Sequence, residues 1–212
     1  MPQKSIEERV KFLEKQIERL QAINEIQNLV GKYEVLHTPK TFGKTIELFA
    51  LKQPDVSVEI ADWGVYVGAE QVKVLYEMVH NEPLVGTMFE HQLTTPMIQV
   101  AGDGQTAKGV WFSPGHETQI VDGKLQAYWC YGKYAADFIK EDGKWKIWHW
   151  HWYDTFKCPY EKSWVEVGPG APPPGIAKHP ADKPTTYRSS YFPTGVREPV
   201  PGCPEPYDTW GK

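Results

Sequence analysis

Cysteine is scarce in this chain. There are three, Cys130, Cys158 and Cys203. The number is odd and no pair stands in CxxC spacing, so neither a disulfide framework nor a zinc knuckle is indicated. Free thiols in a reducing cytoplasm are the expectation. No apolar run approaches the roughly 18 residues that a membrane-spanning helix needs. The opening MPQKSIEERV has no apolar stretch of the kind a secretion signal requires. Basic residues form no block either. Lys4, Arg9, Lys11, Lys15 and Arg19 are interspersed with glutamates and the net charge is -4, which speaks against nucleic-acid binding. The sequence also lacks GxSxG, the P-loop, GxGxxG and HExxH. These absences argue against the common serine hydrolases, nucleotide enzymes and zinc proteases. They leave acid-base chemistry without a cofactor, which needs no linear motif.

What the chain has in abundance is aromatic rings: 9 Trp, 11 Tyr and 8 Phe, within a 41% hydrophobic composition that can fill a core. The pattern of apolar residues divides the sequence into helices first and strands later. Ser5 followed by Glu8 fits a capping box. Ile6, Val10, Leu13, Ile17 and Leu20 then recur at a 4-3-4-3 spacing. The phase slips by one residue and resumes at Ile23, Ile26, Val30 and Tyr33. One helix over 5–37 is predicted, docking first on a partner surface and then on the domain core, with Pro39 ending it. A short helix comes next over 41–50. DVSVEIADWGVYVG reads as a strand or hairpin, and AEQVKVLYEMVHN as a third helix ending near Pro83. From His91 the period becomes two, with turns at Gly102-Asp103-Gly104, Asp122-Gly123 and Asp142-Gly143 between long strands. Helices succeeded by an antiparallel meander make an α+β fold. The division expected is a domain over 1–167 and a proline-rich arm over 168–212. The arm carries Tyr187, Tyr191, Phe192, Tyr207 and Trp210, too aromatic for a disordered linker. It is expected to lie extended on its own domain or on a neighbouring subunit.

The densest aromatic strip is KWKIWHWHWYDTF, residues 144–156. In a regular strand Trp148, Trp150 and Trp152 share one face, and Trp145, Ile147, His149, His151 and Tyr153 the other. Both faces are bulky, so both are expected to be covered, one by a pocket and one by a subunit contact. The His149-x-His151 pair is a metal-ligand spacing. No glutamate stands within the next nine residues to complete a site, so packed histidines are the reading taken and no metal is expected. A bulge in this strand would reverse which face points inward.

Among the other histidines, His80 complements a helix end and His179 lies in the arm. His37 stands one turn after Tyr33 and is placed in the same cavity. His91 opens a strand in MFEHQLTTP, and His116 comes after one in VWFSPGHET with Glu117 beside it. A neutral imidazole at a pocket mouth is a general acid or base near neutral pH.

Three passages resemble the SnoaL-like branch of the nuclear-transport-factor-2-like superfamily. They are IEERVKFLEKQIERLQAINEIQNLVGKY, EHQLTTPMIQVAGDGQTAKGVWF and YAADFIKEDGKWKIWHWHWYD. The resemblance implies a cone-shaped α+β barrel, a curved antiparallel sheet packed on N-terminal helices around a pocket. The nearest pattern is the bile-acid 7α-dehydratase and scytalone dehydratase group, whose members eliminate water without a cofactor. Some members of this broad group cleave carbon-carbon bonds in lignin-derived aromatics. By that resemblance His91 matches the strand-opening catalytic histidine and Tyr33 the tyrosine that ends the first helix. The group's aspartate five residues later is Thr38 here, with His37 adjacent. Its carboxylate near Gly115 is absent, leaving His116 or Glu117 to orient His91. Its last-strand arginine falls near Asp154. Trp63, Trp111, Trp150 and Trp152 are expected to wall the pocket with His37 and Asp154.

These readings converge on a cofactor-independent lyase or isomerase for an aromatic or polycyclic, hydrophobic or phenolic small molecule. It is expected to be cytoplasmic and to assemble as a homodimer or trimer. The rival from another class is a non-enzymatic binding protein for hydrophobic small molecules on the same fold. An acid-base pair in contact inside the pocket separates the two.

Overall fold

A computed structural model describes residues 5–78, 85–166, 178–187 and 190–211. The expected helix end near Pro83, His80 and the start of the proline-rich arm lie outside the described residues.

Helix α1 runs over Ile6–Leu36. Its capping box is formed: Ser5 N–H donates to Glu8 Oε2 at 2.7 Å and Glu8 N–H donates to Ser5 Oγ at 3.2 Å. Ala22, Ile26, Val30 and Tyr33 are its buried residues, while Ile6 through Leu20 stay exposed. The slip in phase thus marks where the helix leaves the domain. The segment read as a second helix is one short 3-10 helix, Phe42–Leu48, burying Phe42, Thr45, Ile46 and Leu48. Strands β1 (Ser57–Ile60) and β2 (Val65–Val67) form the hairpin, and α2 spans Ala69–Met78. Then come β3 (Met88–His91), β4 (Thr94–Val100), β5 (Thr106–Val121), β6 (Lys124–Glu141) and β7 (Lys144–Pro159).

The strands form one seven-stranded sheet in the order β2-β1-β7-β6-β5-β3, with β4 also paired to β5. The sheet is mixed rather than wholly antiparallel, because β1 runs parallel to β7, Val58 opposite Trp150. It is also open: β2 and β3 end the path unpaired with one another, so the barrel is not closed. β5, β6 and β7 are long enough to bend around the helices. The register of β6 on β7 slips twice, between Asp137 and Phe138 and between Tyr131 and Gly132. Trp148 and Thr155 are the residues left over. Each such bulge reverses the facing of the residues beyond it.

The core lies between α1, α2 and the inner face of the sheet, with Ile26, Tyr33, Tyr66, Leu75, Phe138, Ile147 and Trp150 all buried. The outer face carries the described C-terminal residues. Val65 N–H donates to Lys183 O at 2.9 Å, Thr186 donates to the Glu59 carboxylate, and the Trp210 ring lies 4.8 Å from Trp148. Tyr207 donates its hydroxyl to Thr106 at 3.1 Å. Among the described residues, no helix is long and apolar enough to cross a membrane.

Candidate active site

The site gathers at one end of the sheet, where β3 closes over β5. His91 is the last residue of β3 and sits opposite Gly115 in the ladder, two positions from Glu117. His91 Nε2 lies 3.0 Å from Glu117 Oε1, and both side chains are almost wholly enclosed. The other oxygen, Glu117 Oε2, accepts from Gln119 Nε2 at 2.6 Å and from the Lys157 ammonium. Burial alone would raise the Glu117 pKa. The Lys157 charge and the His91 hydrogen bond outweigh it, so the carboxyl is held well below its ordinary value of 4.5. Lys157 shows the reverse balance: burial pulls it down, but Glu117 carries its pKa above the ordinary 10.5.

An ionised carboxylate can only accept hydrogen bonds. Glu117 therefore fixes the neutral imidazole in the tautomer with its proton on Nε2. The lone pair is then on Nδ1, which is buried without a hydrogen-bond partner. The Trp152 ring lies parallel to His91 within 7° at 5.8 Å, and the His37 ring stacks at 5.4 Å on a 28° tilt. His91, His37, Trp63, Phe89, Tyr134, Trp152, Asp154 and Lys157 line a cavity of about 60 Å³ together with Asp62, Gln119 and the turn at Ile60-Ala61. That is room for about two waters.

Of the residues singled out in the sequence, the fold brings His91, Glu117, His37, Trp63, Trp152 and Asp154 to this cavity. It parts the others from it. His116 is exposed, opposite in facing to Glu117, with its ring 4.9 Å from Trp129. Strand parity excludes it as the orienting partner: from Ala107 onward the buried residues of β5 alternate, through Trp111, Ser113 and Gly115 to Glu117. Trp111 packs on Phe138 in the core, 5.9 Å away. Trp150 is packed between Tyr33 and Tyr134, each 4.6 Å away. Tyr33 is fully buried beside His37, but its hydroxyl is engaged with that of Tyr76 at 2.8 Å. Burial, then Tyr76, raises the Tyr33 pKa well above 10.0.

Sequence reasoning missed Lys157, Tyr134 and Cys130. The last two share the buried parity of Ala136 and Phe138 on β6, a signal that was present. Lys157 comes after the Thr155 bulge, so simple alternation could not assign it. His91, Glu117 and Cys130 bring a nitrogen, an oxygen and a sulfur within 4.8 Å of one another, a donor set zinc accepts. The trio does not suit a cation. Lys157 already sits on Glu117, and burial, then Glu117, holds the Cys130 thiol protonated, well above its ordinary value. The His149-x-His151 pair lies on the outer face beneath Pro201–Glu205. His149 Nδ1 is 2.8 Å from Asp137, and His151 stacks on Tyr153 at 3.6 Å.

Comparison with known proteins bears on the fold and family. The SnoaL-like domain family matches residues 18–151. No curated protein matches the sequence. Among solved structures, a hexachlorocyclohexane dehydrochlorinase, LinA type 2, superposes with a TM-score of 0.55 at 17% identity, covering 75% of this chain and 99% of its own. A scytalone-dehydratase-like protein from Novosphingobium aromaticivorans gives 0.56 at 18%, covering 70% and 93%. LinA type 3 from Novosphingobium barchaimii gives 0.54 at 16%, covering 74% and 99%. At these identities the likeness is one of fold. The family match spans more than half of the sequence, and the chain belongs to the SnoaL-like family.

Proposed function

We propose that this protein is a cofactor-independent lyase or isomerase acting on a hydrophobic phenolic or polycyclic small molecule, with His91 as general base. The observation that carries the reading is the His91–Glu117 contact at 3.0 Å, with the His91 ring lining an aromatic-walled cavity and its Nδ1 buried without a hydrogen-bond partner. The acid-base pair in contact favours this reading over a passive binder. Fold neighbours named for eliminations, a dehydrochlorinase and a dehydratase-like protein, support it.

Nδ1 takes a proton from the substrate, and the Glu117 carboxylate steadies the imidazolium that forms. In a dehydration the C–H electron pair becomes the double bond, the C–O bond breaks, and the imidazolium protonates the departing hydroxide. In an isomerisation the same proton returns to another carbon. In a carbon-carbon cleavage the proton comes from a hydroxyl, whose oxygen becomes a carbonyl as the bond breaks; the bonding pair passes to the departing carbon, and the imidazolium protonates it. Lys157 and the Tyr134 hydroxyl suit a developing oxyanion. Tyr33 backs the wall behind His37. Trp152 and Trp63 offer flat faces to an aromatic ring. A phenol exceeds the present 60 Å³, so binding requires the Trp63 turn or Phe89 to give way. The functional unit is proposed to be a cytoplasmic homo-oligomer, with residues 1–167 as the catalytic domain and 168–212 as an arm along it.

The test is to incubate the purified protein with a panel of phenolic β-hydroxy and polycyclic hydroxy compounds and monitor mass and ultraviolet absorbance. Loss of water, loss of an aldehyde fragment, or a shifted spectrum at constant mass identifies the three reactions. Tight binding with no conversion across the panel contradicts the enzyme and supports the binding protein.

A further inference from the structure

The N-terminal half of α1 presents an apolar stripe that nothing among the described residues of its own chain covers. Ile6, Val10, Leu13, Ile17 and Leu20 are between 45% and 77% exposed. At 3.6 residues per turn this stripe points almost opposite to the face by which Ala22, Ile26, Val30 and Tyr33 enter the core. The described C-terminal residues do not reach it either. Tyr207 and Asp208 border the groove lined by Lys15, Glu18 and Arg19, on the core side of the helix. The family match begins only at residue 18, so most of the stripe precedes the shared domain.

The 4-3-4-3 spacing is that of a heptad seam, narrower than a face built to dock on a globular core. Val10 and Ile17 take the a positions, and Ile6, Leu13 and Leu20 the d positions. β-Branched residues at a with leucine at d favour two parallel strands. The next a position is Asn24, exposed on the same line, and a single asparagine there sets register and strand number. The flanks agree. Arg9 at g and Glu14 at e stand five residues apart, so in a parallel pair each Arg9 meets Glu14 of the partner copy. An antiparallel pair would instead run the Glu7-Glu14 edge against itself.

We propose that residues 6–24 form a parallel two-stranded coiled coil with a second copy of this chain. The two domains then hang from the outer sides of the coil, away from one another. This sharpens the oligomer suggested under the proposed function and is independent of the chemistry assigned to His91, because its test reads assembly and not turnover.

The test is light scattering on the full chain after gel filtration. The wild type is expected to be a dimer. Leu13→Asp with Ile17→Asp, both at exposed positions of the single chain, is expected to raise the dissociation constant by about 100-fold or more, as burying unpaired charge does. Its near-ultraviolet dichroism should stay that of the folded domain. Arg9→Glu and Glu14→Arg should each weaken the dimer, and together restore it. In a Cys203→Ser background, Ile6→Cys should form an interchain disulfide under mild oxidation, because only a parallel in-register pair brings the two positions together. A monomeric wild type, a trimer, a dimer indifferent to the seam substitutions, or a dimer that Ile6→Cys fails to cross-link would each overturn the proposal.

Discussion

Gly115 faces His91 across the β3–β5 ladder, and a methyl group on it would stand 2.7 Å from His91 Cδ2 and 2.9 Å from the Glu90 carbonyl oxygen. The missing side chain is what lets the imidazole lie over β5 and reach Glu117. The Glu90 oxygen is backbone and cannot step aside, so the strain falls on the ring or on the strand pairing.

Gly115→Ala is therefore expected to destabilise the fold by about 1–3 kcal/mol, the usual cost of overpacking, and to depress turnover by moving the base. Thermal melts and rates measured on the same preparation check this. An alanine variant with unchanged rate and melting point contradicts the close approach.

Glu117 and Lys157 form a buried pair, and the two shifts fix the sign of their pH dependence. The Glu117 pKa is depressed in the fold, so its stabilisation is complete above about 4.5 and is lost as pH falls below that value. The Lys157 pKa is raised, so its contribution is complete below 10.5 and is lost as pH climbs through the folded value above it. Glu117→Gln leaves Lys157 buried without its counter-charge and should cost about 3–5 kcal/mol at pH 7. Urea unfolding of wild type and variant should show this gap narrowing at pH 3. A gap that does not depend on pH contradicts the pairing.

Tyr33 and Tyr134 should separate cleanly. The Tyr33 hydroxyl is spent on Tyr76, so Tyr33→Phe removes a buried hydrogen bond and costs about 0.5–1.5 kcal/mol of stability with little change in rate. Tyr134 borders the cavity, and Tyr134→Phe should lower kcat by about 10²–10³-fold if it meets the oxyanion. Steady-state kinetics with urea melts on both variants distinguish the roles. A Tyr33→Phe enzyme with kcat lost and stability intact contradicts this assignment.

The C-terminal segment reaches the pocket through the β1–β2 turn. Thr185 Oγ1 donates to Ala61 O at 2.6 Å, and Gly64 packs so close to Lys183 that a Cβ there would stand 2.6 Å from its carbonyl oxygen. This turn carries Asp62 and Trp63 to the cavity rim. Thr185→Val should loosen the turn, raising KM several-fold while kcat changes less. An unaltered KM contradicts a positioning role for the segment.

Much of this was legible in the sequence for a physical reason: periodicity is local. The capping box at Ser5 and Glu8, the paired Asp-Gly turns and the change from period 3.6 to period 2 each depend on neighbours a few residues apart. His91 was legible through its likeness to the group's catalytic histidine but not through its strand position: read as opening a strand, it instead ends β3, and the next strand begins only at Thr94. Glu117 was half legible, because parity with Trp111 already points it inward and His116 outward. The parallel pairing of β1 on β7 is long-range and left no local trace. The inner face of β7 was not legible at all. Bulges at Trp148 and Thr155 each reverse the alternation, so Trp145 and Ile147 face inward before the first, Trp150, Trp152 and Asp154 after it, and Lys157 reaches the cavity only after the second. The strip with two histidines and four tryptophans is thus a core wall on one side and a covered outer face on the other.

The most direct measurement is the rate of conversion of a phenolic substrate panel by wild type and by His91→Gln, with folding of both verified by dichroism. The account predicts that wild type converts at least one compound and that His91→Gln is slower by about 10²–10⁴-fold, the usual worth of a general base, with substrate binding largely kept. Full turnover by His91→Gln would contradict it.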